Sequence, residues 1–139
     1  MINDIINKIG KSINGEFGEA YTIYSENMPQ DFNTPCFFIE CVKYSREKAL
    51  SRGTRFLVSA MFRVTYFPDE ENLNQNEDIY EISDRIFDPV ERIDGYSGDG
   101  LKAEFSDGVL VVTVNYDFQA VKETDKNYMS GLKQKGGTY

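Results

Sequence analysis

Histidine is absent from all 139 residues. With it go the commonest general base and the commonest metal ligand, which excludes Ser–His and Cys–His nucleophile chemistry and ordinary zinc sites. Cysteine is scarce: Cys36 and Cys41 are the only two. On one strand an offset of five points them to opposite faces, roughly 17 Å apart at strand rise and too far to bridge. Both are expected as buried free thiols. Basic residues are in deficit, 15 against 23 acidic ones for a net charge of −8, which argues against direct nucleic-acid binding. No apolar run approaches the ~20 residues that cross a bilayer. The opening MINDIINKIG has no basic region followed by an apolar block and a cleavage site. The expectation is a protein made and kept in the cytoplasm, away from membranes. There is no internal repeat and no low-complexity block.

What is present is globular. A hydrophobic content of 40% with 14% aromatics suits a chain long enough to bury a core without disulfides or metal. Ile2, Ile5, Ile6, Ile9 and Ile13 form one helical stripe, with Gly15 as the expected stop. Ala20–Glu26 reads as a short strand. Cys36–Tyr44 reads as another, with Phe37, Ile39 and Cys41 on one side and Phe38, Val42 and Tyr44 on the other. The connector SREKALSRGT then leads to a long strand ended by Pro68, and the two strands are expected to pair as an antiparallel hairpin with a long basic tip. Asn74 to Glu77 matches a capping box ahead of a second helix carrying Ile79, Ile82 and Ile86, stopped before Pro89. Its other face, with Asp78, Glu81, Asp84 and Arg85, is expected to be solvated. Ile93–Gly100 reads as loop. Leu101, Ala103 and Phe105 then alternate, Asp107-Gly108 supplies a two-residue turn, and Leu110, Val112, Val114, Tyr116 and Phe118 alternate again. The order predicts a single α+β domain over 1–121, an antiparallel or mixed sheet with two amphipathic helices on one face. A flexible C-terminal tail, 122–139, follows.

The long strand, RFLVSAMFRVTYFPD, raises the question of function. Its even positions, Phe56 to Tyr66, are all apolar and belong to a core face. Its odd positions, Arg55 to Phe67, mix charge, small polar groups and hydrophobes. That second face is too apolar for open water and too charged for a core. Charge is also segregated along the chain. Residues 43–63 hold six bases (Lys43, Arg46, Lys48, Arg52, Arg55 and Arg63) against Glu47, a net +5; residues 66–107 hold thirteen acids, Asp69, Glu70 and Glu71 among them, against three bases, a net −10. Head-to-tail association of identical subunits would set one sign against the other. The expected subunit-interface residues are these six bases and the three leading acids. In the tail, Tyr128, Met129, Leu132 and Tyr139 are scattered anchors expected to dock on a partner.

No constellation supports catalysis. The glycine-rich run DGYSGDG has no basic P-loop ending and enters a strand, and Asp94 and Asp99 lack calcium-loop spacing. No pair of carboxylates is singled out as a glycosidase-type dyad. Glu40, inside an apolar strand, is expected to pair with an Arg on the neighbouring strand. No enzyme activity, cofactor, metal or small-molecule substrate is expected.

The stretches NMPQDFNTPCFFIECV and VTYFPD, joined by a polar connector and followed by a helix and a C-terminal hairpin, resemble the tail terminator family of phages and phage-tail-like bacteriocins. The similarity covers about residues 1–122 in element order and is densest in Gln30–Ile39 and Phe62–Pro68. It implies a structural virion protein assembled in the bacterial cytoplasm as a ring, hexameric in the family. The ring would sit on the head-proximal end of the tail tube, stop tube polymerisation, and dock the neck or, in contractile tails, the last sheath ring. Its partners would be itself, the tube protein, and sheath or neck proteins. Three other readings stand beside it: a neck or head–tail connector, a small ligand-binding domain with a closed apolar pocket, and an acidic nucleic-acid mimic.

Overall fold

The computed structural model describes residues 1–26, 28–49 and 55–121. The elements are α1 (Ile2–Phe17), β1 (Thr22–Tyr24), β2 (Cys36–Lys48), β3 (Arg55–Phe67), α2 (Gln75–Glu91), β4 (Arg92–Ile93), β5 (Tyr96–Ser106) and β6 (Val109–Val121). They build a mixed six-stranded sheet in the order β1-β2-β3-β6-β5-β4, with β1 parallel to β2 and every other pairing antiparallel. Both helices pack on one face, as their apolar stripes dictate. Ile5, Ile9 and Ile13 of α1 and Ile79, Ile82 and Ile86 of α2 are buried against Phe37, Ile39, Phe62, Val64, Val112 and Val114 of the sheet. The even positions of β3 are all buried, as the alternation requires.

Several boundaries differ from the sequence reading, each for a physical reason. Helix α1 runs through Gly15 and ends at Phe17, because Phe17 packs on Phe37 and Tyr21. Gly18, at φ +91°, makes the stop. Helix α2 continues past Pro89 to Glu91. The proline forfeits one hydrogen bond to the Arg85 carbonyl, while its own carbonyl and that of Val90 accept bonds from the hydroxyls of Ser12 and Tyr116. These tertiary partners hold the last turn. At the other end Asn74 occupies the cap position but makes no side-chain cap. In place of the capping box, the Asn74 amide donates to Asn72 Oδ1 and Gln75 Nε2 donates to the Asp69 carbonyl.

The glycine-rich run is a strand, not a loop. Asp94 and Gly95 turn the chain between β4 and β5, and Tyr96 packs on Phe118 with ring centroids 4.9 Å apart. A side chain at Gly98 would come within 2.5 Å of Val114, so glycine is what lets β5 lie against β6 here. The Asp107-Gly108 turn is as expected, both residues having positive φ.

Candidate interaction surface

Among the described residues the two helices cover one side of the sheet and leave the other open, so the candidate surfaces for partners are the bare face, the strand ends that outrun the helices, and the outer face of α2. Cys36 and Thr65 on the bare side are nonetheless buried. Phe32, from the segment between β1 and β2, packs at 5.1 Å on Phe67 and at 6.5 Å on Tyr24, covering that corner. Farther along, Arg63 Nε meets Glu40 Oε2 at 3.0 Å across a registered β2–β3 pair, the partnership expected for Glu40. Ser59 donates to Asn115 at 3.3 Å. Met61 is half-buried and Leu57 is exposed. The odd face is thus paired at one end and bare at the other.

A bulge re-aims the basic residues. Cys41 pairs with Phe62 and Lys43 with Met61, so Val42 is the extra residue in β2. Strict alternation places Tyr44 opposite Ile39; the bulge instead brings Tyr44, Arg46 and Lys48 onto the helix side, level with Ala60, Val58 and Phe56. There the helix layer has run out: the Tyr44 hydroxyl already meets Met1 at the very start of α1. The strands continue to the Ala49–Arg55 bond, and β6 stays paired with β3 up to Val121–Arg55. The expected two-stranded hairpin is therefore a three-stranded arm. Arg46 lies over the Phe56 ring at 4.3 Å. Lys43, Arg46, Lys48 and Arg55 are exposed on the arm, and Arg55 donates to Gln119 at 3.3 Å. A groove of about 540 Å³ borders Ser45, Leu57 and Gln119 and is open to the surroundings, unlike the closed pocket of a small-ligand domain.

The expected acids lie elsewhere. Asp69, Glu70 and Glu71 form the turn ahead of α2. There the Glu71 amide donates to Asp69 Oδ1 and the Glu70 amide to Thr34 Oγ1, so the turn is bonded both within itself and to the segment ahead of β2. The face of α2 expected to be solvated is only partly so. Asp78 accepts the hydroxyl hydrogen bond of buried Tyr66. Arg85 pairs with Glu16 at 3.1 Å, donates to the Glu16 carbonyl at 2.9 Å and covers the Phe17 ring. Glu77, Glu81 and Asp84 remain exposed, as does Tyr80 between them, and sequence reasoning did not single out that tyrosine. Its signal was an aromatic residue at a position where α2's apolar stripe does not fall. Burial pushes the Cys36 thiol up to about 11, and Cys41 is half-buried, not fully buried as expected. Arg52 and the tail anchors Tyr128, Met129, Leu132 and Tyr139 lie outside the described residues.

A family model described as phage tail terminator protein matches residues 4–128. A search of curated proteins gave no match. The matched span takes in α1 from Asp4 onward and all the other described helices and strands, and the chain belongs to the phage tail terminator family, a family of structural tail proteins.

Proposed function

We propose that this chain assembles with copies of itself into a ring, a hexamer by resemblance to its family, that caps the head-proximal end of the tail tube and ends its polymerisation. The ring then offers its outer surface to the neck or to the last sheath ring. Assembly takes place in the bacterial cytoplasm, and the finished ring travels with the particle.

The observation that carries this reading is the division of the sheet. One face is covered by helices, while the other and the projecting arm expose Val42, Tyr44 and Leu57 together with Lys43 and Lys48, neither of which has an ion-pair partner among the described residues. A subunit whose exposed surfaces are half-apolar and opposite in charge is suited to meeting other protein surfaces. Imaging tails from a strain that lacks the gene tests it. Tubes are expected to be overlong and variable, and plasmid-borne protein should restore one length. Tubes of wild-type length in the deletion strain would sink the capping role.

A further inference from the structure

The fold carries two exposed, half-apolar surfaces of opposite charge, and strand register keeps them apart within one chain. The first is the helix-side face of the arm, where Tyr44 is 46% exposed in line with Arg46 and Lys48. The second lies where α2 passes the β5–β6 turn. Tyr80 and Phe105 are 55% and 54% exposed, yet they pack edge to face on each other at 5.2 Å. A shallow hollow beside them is lined by Asn76, Ile79 and Val109. Glu77 and Asp84 flank Tyr80 at three- and four-residue spacing, and Glu81 lies on the same exposed side of α2, four residues after Glu77. None of the three has an ion-pair partner among the described residues.

Lys48 is level with Phe56 at one end of β3, and Asp78 of α2 is tied to Tyr66 at the other. Ten residues of strand, roughly 33 Å, separate those levels, so an arm cannot reach the aromatic patch of its own chain.

We propose that the Tyr80–Phe105 patch receives the arm of a second copy. The two aromatic rings act as the apolar anchor for Tyr44, and the α2 carboxylates form a rim for Arg46 and Lys48 on the same face of the arm, the arrangement in which central aromatics carry affinity and rim charges set register. Donor and acceptor are different surfaces of the same chain, so the joint is heterologous and repeats around a closed ring. This rests on the self-association proposed above and names the surfaces that make it. A basic segment of a tube or sheath protein would be the competing occupant.

The test is photo-crosslinking of the full chain with benzoylphenylalanine at position 80, in rings whose mass is first established by light scattering. The expected product is a crosslink between two copies that joins position 80 to a peptide within 42–48 or 55–58. Crosslinks from a formed ring to any other segment, or to a different protein alone, overturn the docking surface but leave the ring standing. A chain that stays monomeric both alone and in purified tails overturns the ring itself. As a second measurement, Tyr80→Ala with Phe105→Ala should leave the circular dichroism spectrum unchanged and weaken ring formation at least tenfold. Assembly at wild-type concentration by that variant also overturns the proposal.

Discussion

At the level of single residues, the tightest constraint sits where sequence reading saw a loop. Gly98 faces Val114 and Tyr116 so closely that a Cβ would lie 2.5 Å from one and 3.0 Å from the other, with the Val90 carbonyl 3.3 Å away. The same approach lets the Tyr116 hydroxyl reach that carbonyl at 2.6 Å, closing an otherwise unpaired group in the last turn of α2. Gly98→Ala therefore overpacks the core and strains the bond that holds the helix end. The expected cost is about 1–3 kcal/mol, read as a lower urea midpoint with an unchanged slope. Gly100→Ala on the neighbouring bulge meets no atom within 4 Å; its φ of +62° leaves only a backbone penalty of about 1 kcal/mol. If the two variants lose equal stability, close packing at Gly98 is not the reason for its glycine.

At the level of elements, alternation and helical spacing made the core legible: the isoleucine stripes, the even face of β3 and the Asp107-Gly108 turn all stand as read. What was not legible was set by contacts distant in sequence. Nothing local to Cys41–Lys43 marks the bulge that turns Tyr44, Arg46 and Lys48 to the helix side. No propensity foretells that Ser12 and Tyr116 would hold the end of α2 beyond Pro89. The glycines of β5 looked like loop residues because close packing and flexibility use the same amino acid. The candidate surface was visible as charge segregation, but its aromatic centre was not, since an exposed tyrosine and phenylalanine from separate elements meet only in the fold. Arg85 belongs to this class as well. It ties α2 to the end of α1 through the Glu16 carboxylate, the Glu16 carbonyl and the Phe17 ring. The ion pair alone is half-exposed and worth little; the carbonyl bond and the ring contact add to it. Arg85→Ala is expected to cost about 1–2 kcal/mol in urea unfolding, with Arg85→Lys recovering less than half. Full recovery by lysine would mean that charge, and not the fork and the stacking, is what matters.

At the level of the whole molecule, buried ionisable groups and surface charge act in opposite ranges of condition. Burial raises Cys36, Tyr66 and Tyr116, and the bond to Asp78 raises Tyr66 further. The folded chain therefore keeps protons that the unfolded chain releases above its ordinary thiol and phenol values of 9.0 and 10.0. The stability these groups contribute is full below pH 9 and falls as pH rises beyond it, by up to about 1.4 kcal/mol per pH unit for each group titrating in the unfolded state alone. Urea midpoints measured from neutral pH upward should hold level and then drop, and Tyr66→Phe should make the drop shallower. A midpoint that rises above pH 9 would contradict the burial of these groups. Surface charge bears on assembly. The bases of 43–63 and the acids of 66–107 are separate in sequence, and among their exposed members Arg46 and Lys48 on the arm and Glu77 and Glu81 on α2 stand at opposite ends of the sheet. Attraction between such surfaces on neighbouring copies is screened once the Debye length shrinks from about 10 Å at 0.1 M salt to about 3 Å at 1 M. Ring mass followed by light scattering should fall over that range for the native chain. Reversing Arg46, Lys48 and Arg52 to glutamate should leave the circular dichroism spectrum that of a folded chain while abolishing assembly even at low salt. In that variant added salt should partly restore the ring, because it now screens repulsion. A triple variant that assembles fully at low salt would show that the joints are held by apolar contact alone.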